Sequence, residues 1–597
     1  MVEGKNMNVS EYLVSFIEKK EIDKVFGVVG GAVLWLCKAL NESQKIQPVF
    51  TNHEQVAVMA ADGWARVSGK PGIVFTINGP GMTNAVTGVA QAWTDSSPVI
   101  LITGNSNLKS VKYEREKGVR QYGTQDVRTD EIMKPITKKT FLLERPEEAP
   151  KCFEEAYILC MKGRPGPVCI EIPIDVQSKE VPEDFVYDYV DWRECNNEFD
   201  VVKIANVLNK AKRPLILAGQ GIRLAGAVDQ FRAFIKKYQI PVVNTRMGID
   251  TIVSDSELYV GRAGNHGSRA SHFAMQTCDV LLVIGSRLAP NTTGYDVRKF
   301  SNQSYKILIE IEKCELDKYQ IQIDEIVNTD LRIFLDKMNQ VGQAEIDTER
   351  KRWIKCCIDW KQRYPIMQEK YYVNFPISTY KVVEVVSNLA EKEDLILSDT
   401  GSCCSIVAQV WDVKGDQKVF ISGGLSAMGY WVTSIGVAFA NKGNGRVVCF
   451  VGDGSLQMNI QELATIKSYG LPIKLFVINN NGYQFVRMSQ RSYGIEPPFG
   501  TDSKAGVPIP ETQKIVEAYG INYTRCMKSQ LLEAVIKEVL DSNQTEVCEI
   551  FVDEEQEVCP RLKSVALEDG TFVSPEYENL YPFLEKDILE EELKKAY

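Results

Sequence analysis

The stretch Gly452–Asn480, GDGSLQMNIQELATIKSYGLPIKLFVINN, decides how the chain is read. An apolar run, Val447 to Val451, stops at its Gly-Asp-Gly, and a second, Ile473 to Ile478, stops at Asn479-Asn480. Ile460, Leu463, Ala464 and Ile466 keep helical apolar spacing between them, so the segment reads as strand, helix, strand. In such a parallel crossover both strands end on one edge of the sheet, where Asp453 and Asn480 can face each other across a crevice. A carboxylate, a side-chain amide and the carbonyl of Gly482 form an all-oxygen set suited to magnesium, whose remaining positions are normally filled by water and phosphate oxygens. Gly454 lets backbone approach a phosphate, and Ser455 opens a helix whose free amides favour an anion. These residues predict a metal and a diphosphate. Taken alone, Asp and Asn at strand ends serve equally as turn formers.

With its flanking residues the pattern closely resembles the thiamine-diphosphate signature of the acetolactate synthase and pyruvate decarboxylase superfamily. The resemblance implies that Asp453, Asn480 and the Gly482 carbonyl hold the magnesium that carries the cofactor's diphosphate. It also places Gly454, Ser455 and Tyr483 against the cofactor.

Length and composition fit a large multidomain globular protein. A chain of 597 residues is too long for one core and predicts about three to four domains. A net charge of −10 without a basic run argues against nucleic acid and acidic membranes as partners. No apolar stretch approaches the ~20 residues needed to span a bilayer, and the N-terminus reads as an amphipathic helix rather than a leader. Fifteen scattered cysteines have no framework spacing, which predicts a reducing cytoplasm. Three histidines, His53, His266 and His272, lack zinc-site spacing.

Strands alternate with helices in three blocks, predicting an α/β protein of three doubly wound parallel-sheet domains. They cover residues 1–180, 199–340 and 375–555, with a C-terminal tail at 556–597. Residues 176–199 read as a surface linker or a packed irregular loop, and 340–375 as a charged, helix-favouring connector. The resemblance names the domains pyrimidine-binding, middle and diphosphate-binding. It implies a homodimer or homotetramer with each active site between the first domain of one subunit and the third of another.

Further motifs follow in the family's order. His53-Glu54-Gln55 heads a helix whose Val56, Ala60 and Trp64 bury one face, where a glutamate ordinarily serves the helix dipole. In the family the matching glutamate hydrogen-bonds the aminopyrimidine ring and assists loss of the thiazolium proton, which implies that Glu54 is the essential acid–base group. Gly27-Val28-Val29-Gly30-Gly31 matches a loop whose backbone, at Gly31, approaches the reacting carbon, although Val29 replaces a usual proline. Asn78-Gly79-Pro80-Gly81-Met82-Thr83-Asn84 matches a pyrimidine-contacting loop, with Pro80 and Asn84 as contacts. Gln125 aligns with a glutamine near the substrate. In the third block Ser426 and Met428 match residues that hold the cofactor bent, and Gly401, Ser402 and Cys403 occupy a diphosphate-contacting loop, where Ser402 and Cys403 depart from the usual Gln-His.

Gly219-Gln220-Gly221, Gly264-Asn265-His266-Gly267 and Gly285-Ser286-Arg287 match segments that hold FAD in acetolactate synthases. Glycines at strand ends serve tight turns equally, so FAD, another nucleotide or neither stays open. No strand precedes a G-x-G-x-x-G with an acidic residue ~20 positions on, which sets aside an NAD module. The resemblance implies decarboxylation of a short 2-keto acid, pyruvate first, and ligation of its acyl unit to an aldehyde or ketone. Ser489 stands where acetolactate synthases use a tryptophan, which enlarges the acceptor side, and Arg487 and Arg491 are candidates to attract an anion. The tail resembles enzymes of surface-polysaccharide pathways and raises a nucleotide-linked keto-sugar as acceptor. The alternatives are acetolactate synthase proper and a non-ligating 2-keto acid decarboxylase.

Overall fold

The apolar runs of the sequence become strands buried on both faces, as all-parallel sheets covered by helices require. The computed structural model describes residues 7–182, 198–316, 320–342, 345–566 and 571–597. The first domain holds β1 (Lys24–Gly27), β2 (Gln47–Phe50), β3 (Gly72–Ile77), β4 (Val99–Asn105), β5 (Thr140–Leu142) and β6 (Val168–Pro173). The middle domain holds β7 (Pro214–Ala218), β8 (Val242–Asn244), β9 (Tyr259–Arg262), β10 (Val280–Ile284), β11 (Tyr305–Glu310) and β12 (Glu325–Asn328). The third holds β13 (Leu395–Ser398), β14 (Lys418–Ile421), β15 (Val447–Gly452), β16 (Ile473–Asn479), β17 (Asn522–Cys526) and β18 (Glu546–Phe551).

All three sheets are parallel, and the first and third share one topology. Their orders are β2-β1-β3-β4-β6-β5 and β14-β13-β15-β16-β18-β17. In each the chain reverses direction across the sheet beside the first strand, which opens a crevice at the C-terminal ends of β1/β3 and β13/β15. The middle sheet runs β12-β11-β10-β7-β8-β9, the doubly wound dinucleotide-binding order, and reverses between β7 and β10.

The first and third domains share one core through two helices. The helix Glu54–Ser68 crosses the helix Thr433–Asn441 so closely that a Cβ at Gly436 would lie 1.7 Å from the Ala60 carbonyl oxygen. A Cβ at Gly63 would lie 2.4 Å from the Thr433 carbonyl oxygen, so neither position admits a side chain without backbone movement.

Three readings of the sequence change. The crossover of the opening motif is not one helix: a short turn, Asp453–Leu456, is followed by Asn459 at φ +70°, and a new helix starts at Leu463. The left-handed residue breaks the ladder that apolar spacing alone suggests. The segment 340–375 is more than a connector, because its helix Thr348–Arg363 buries Trp353 and Trp360 in the middle-domain core. The C-terminal tail also folds onto the middle domain: Tyr577 stacks on His272, and Glu592 accepts from Trp360 and pairs with Arg363. Most of the linker at 176–199 lies outside the described residues.

Candidate active site

The opening motif forms a compact polar cluster at the ends of β15 and β16. Asp453 is buried, and its Oδ2 accepts the Gly482 N–H at 2.8 Å. Gly482 sits at φ +111°, and a Cβ there would meet the Thr501 carbonyl oxygen at 2.2 Å, so glycine is required. Asn480 donates through Nδ2 to Gln484 at 3.1 Å and to Ser402 at 3.4 Å. Asp453 Oδ1 and Asn480 Oδ1 are buried without a hydrogen-bond partner. Burial pushes the Asp453 carboxyl up to about 7. Two orphaned oxygens at adjacent strand ends suit a hard divalent cation. Among the described residues no cluster of three or more His, Cys, Asp or Glu could hold a metal, so a cation here would depend on oxygens from outside the protein, as a diphosphate supplies.

The loops around this cluster separate into those facing the crevice and those holding it. Gly401, at φ +97°, has open space where a Cβ would stand. Ser402 begins the buried helix Ser402–Val410. Cys403 lies beneath, its thiol directed to the backbone carbonyls of Asp399 and Thr400 and its pKa raised by burial. Its side chain is therefore part of the floor rather than a cofactor contact. The Ser455 hydroxyl is likewise turned inward, donating to Asp399 Oδ2 at 2.8 Å and accepting the Gly429 N–H at 2.9 Å. Asp399 is itself buried and raised to about 6 by desolvation. Gly454 is bare because the Tyr483 ring packs on it, leaving 2.5 Å to an added Cβ. Ser426, at φ +54°, is exposed and Met428 is half-buried on the loop after β14.

A second cluster lies at the strand ends of the first domain. Glu54 begins its helix after β2, half-buried, and its Oε2 accepts from Asn84 Nδ2 at 2.9 Å. Pro80 starts the helix Pro80–Thr94, which carries Asn84, and is exposed. Gln125, exposed at φ +63° on a separate loop, packs against this turn: a Cβ at Gly79 would meet its carbonyl oxygen at 2.3 Å. Gly30 packs on Ile77 at the end of β3, and the adjoining Gly31 is exposed with open space beside it. Glu54, Pro80, Asn84, Gln125 and Gly31 thus share one sheet edge. Among the described residues no hydrogen bond joins them to the Asp453–Asn480 cluster of the same chain.

The structure redirects the two arginines. Arg487 is buried and donates inward to the carbonyls of Asn481 at 2.7 Å, Asn480 at 2.6 Å and Glu554 at 3.2 Å. Arg491 pairs with Glu555 and Glu496. Neither is poised to attract an anion, because carbonyls and carboxylates already satisfy both. Gln484 and Asp399 are contacts that the sequence reading did not assign to the site; Gln484 begins the helix after the Asn481–Gly482 turn, whose positive φ values fold it back on Asn480.

A cavity of about 320 Å³ opens at the reversal point of the middle sheet. Gln220, Gly221, Gly285, Ser286 and Arg287 line it together with Asp95 and Gly424 of the neighbouring domains. A Cβ at Gly219 would lie 2.2 Å from the Gly285 carbonyl oxygen, so these glycines serve loop packing. His266 is lowered to about 3, first by burial and then by Arg246 and Arg561, and stacks on Phe485. No described helix is long and apolar enough to cross a membrane.

Comparison with known proteins follows the same three-domain division. Family models match residues 7–132 (thiamine pyrophosphate enzyme, N-terminal TPP binding domain), 201–338 (central domain) and 399–550 (C-terminal TPP binding domain). The acetolactate synthase large subunit of Lactococcus lactis subsp. lactis is 32% identical over 559 residues, covering 93% of this chain and 94% of that protein. The probable acetolactate synthase large subunit of Methanocaldococcus jannaschii is 31% identical, covering 92% of each chain. Escherichia coli acetolactate synthase isozyme 1 large subunit is 29% identical over 93% of this chain and 96% of its own. The chain belongs to the thiamine pyrophosphate enzyme family and is a thiamine-diphosphate-dependent carboligase/decarboxylase of acetolactate synthase type.

Proposed function

We propose that the enzyme decarboxylates pyruvate, or another short 2-keto acid, and ligates the acyl unit to an aldehyde or ketone. The observation that carries this reading is the pair of buried, unpartnered oxygens on Asp453 and Asn480. Its relatives' names, acetolactate synthase, support pyruvate as donor.

Asp453, Asn480 and the Gly482 carbonyl would hold Mg²⁺, with Gly454, Ser455 and Tyr483 beside the diphosphate. Bound thiamine diphosphate would supply a carbon nucleophile and an electron sink for the pair left on the acyl carbon when the carboxyl group departs as carbon dioxide. Glu54, oriented by Asn84, would hold or share a proton with a ring nitrogen of the bound cofactor. Pro80 and Gln125 bound the same pocket, and Met428 and Ser426 shape its opposite wall. Both clusters leave apolar side chains exposed on the single chain, Val29 and Leu34 beside one and Leu425 and Met458 beside the other. We read these as faces that meet in a homodimer, or a tetramer of two such pairs. The free cysteines fit a reducing cytoplasm. FAD is the nucleotide to test first in the middle-domain cavity, on the dinucleotide-binding strand order. A nucleotide-linked keto-sugar acceptor draws no support from Arg487 or Arg491, and we keep the acceptor as a carbonyl compound.

The test supplies the purified protein with Mg²⁺, thiamine diphosphate and pyruvate, with and without carbonyl acceptors including keto-sugars. Carbon dioxide release and mass spectrometry of products are followed. A ligated product supports the reading; acetolactate alone assigns acetolactate synthase proper, and free acetaldehyde assigns a simple decarboxylase. No carbon dioxide from any short 2-keto acid overturns it. Flavin absorbance of the purified protein decides the cavity.

A further inference from the structure

From Phe50, the last residue of β2, to the helix that Glu54 begins, the chain turns through Thr51–His53, and this turn is held by the third domain of the same chain. The Phe50 N–H donates to the Tyr469 hydroxyl at 2.9 Å. The Asn52 N–H donates to Glu462 Oε1 at 2.9 Å, and Asn52 Nδ2 donates to Thr465 Oγ1 at 3.1 Å. Thr465 in turn donates to Glu462 Oε2 at 2.5 Å. Glu462, Thr465 and Tyr469 all lie on the crossover between β15 and β16, the connection inside the metal motif.

Glu462 is fully buried, burial raises its carboxyl to about 7, and no ion pair reaches it among the described residues. An unpaired buried carboxyl is costly, and an apolar residue would fill the same interface without that cost. Here Oε1 accepts the Asn52 N–H of the turn directly, and Oε2 accepts from Thr465, whose hydroxyl in turn accepts from Asn52 Nδ2. Glu54 depends on that turn, since Asn84 is its one side-chain hydrogen-bond partner among the described residues and it is half-exposed. We infer that Glu462 is a positioning residue for Glu54, fixing the Asn52–His53 turn from across the domain interface. The inference rests on the reading that Glu54 serves the cofactor.

The test compares Glu462→Ala, Glu462→Gln and Thr465→Val with Glu54→Gln in the loaded enzyme. It measures kcat, the KM for pyruvate, the Mg²⁺ requirement, and hydrogen exchange of the peptide spanning residues 48–58. Misplacing a reacting group by ~1 Å costs about 100-fold, so Glu462→Ala is expected to lose ten- to a hundredfold in kcat. KM and the Mg²⁺ requirement stay unchanged, and exchange at residues 50–56 rises. Glu462→Gln keeps an acceptor for the Asn52 N–H and recovers most of the loss. Should Glu462→Ala not fold, Thr465→Val removes the bridge without emptying the interface and is expected to show a smaller loss of the same pattern. Wild-type kcat and exchange in these variants overturn the inference, as does an equal loss of kcat, Mg²⁺ response and thermal stability. A fully active Glu54→Gln overturns the functional reading instead, while the exchange measurement still reports on the turn.

Discussion

Gly482 donates its backbone N–H to Asp453 Oδ2 at 2.8 Å, so the two ends of the crossover motif are tied before any ligand arrives. The bond occupies one carboxylate oxygen and leaves Oδ1 beside the equally unpartnered Asn480 Oδ1. Asp453→Asn should preserve this bond, because an amide oxygen can still accept it, while removing the charge. The expected result is an unchanged circular dichroism spectrum and a loss of Mg²⁺-dependent activity of at least about 100-fold. Titration calorimetry with Mg²⁺ and thiamine diphosphate checks it; wild-type affinity in the variant would remove Asp453 from the metal site.

Glu54→Gln keeps the helix start and the side-chain volume but cannot give up or share a proton. General acid–base groups contribute roughly 10²- to 10⁴-fold, and turnover should fall within or beyond that range. Melting temperature should stay near wild type, because Glu54 is half-exposed and has a single side-chain partner.

Arg487 spans the carbonyls of Asn480, Asn481 and Glu554 from one buried guanidinium. Arg487→Lys supplies a point charge instead of a planar fork and cannot reach all three. Residues that orient metal ligands typically cost 10- to 100-fold in affinity when changed, and both Arg487→Lys and Arg487→Met are expected to weaken Mg²⁺ by that range. Arg491→Met, whose partners are exposed glutamates, should leave it unaltered. Equal effects of the two arginines would refute the distinction.

The interface of the first and third domains makes a stability prediction. At Gly436 an added methyl group would sit 1.7 Å from the Ala60 carbonyl oxygen, a backbone atom that cannot swing away. Overpacking commonly costs ~1–3 kcal/mol, and Gly436→Ala should reach the upper end or fail to fold. Gly443→Ala, with open space around its Cβ but φ +83°, should cost less. Thermal unfolding of both variants ranks them, and equal melting temperatures would count against the close helix crossing.

What the sequence made legible divides along physical lines. Strands such as Val447–Gly452 and Val280–Ile284 are apolar on both faces and bounded by glycine, so their pattern is local and complete. The joint placement of Asp453 and Asn480 follows from parallel crossover geometry alone. The inward turn of Ser455, Cys403 and Arg487 does not: Ser455 is settled by Asp399, distant in the chain, while Cys403 and Arg487 turn to backbone carbonyls whose direction depends on the folded loops and not on any side-chain pattern. Glu462 was read over as part of a helical pattern, since its partner Asn52 lies in another domain. The tail's seat on His272 and Trp360 was invisible for the same reason.

The buried carboxyls give a pH dependence whose sign can be worked out. Glu462 lies near 7 and Asp399 near 6, burial being the largest cause in each. An acid whose folded pKa is raised holds its proton more tightly in the folded chain than in the unfolded one. Between the ordinary carboxylate value of about 4 and these raised values the folded state binds more protons, so this contribution to stability falls as pH rises and levels off above about 7. Glu462→Gln abolishes that ionisation while keeping an acceptor for Asn52. The variant's melting temperature relative to wild type should therefore climb from about pH 4 to about pH 7 and level off above, in cofactor-free protein where the Asp453 cluster is common to both. Asp399→Asn should show the same climb, half complete about one pH unit lower. A difference between variant and wild type that does not change with pH would mean that these carboxyls ionise as freely in the folded chain as in the unfolded one, and would deny the burial that the domain interface imposes on Glu462.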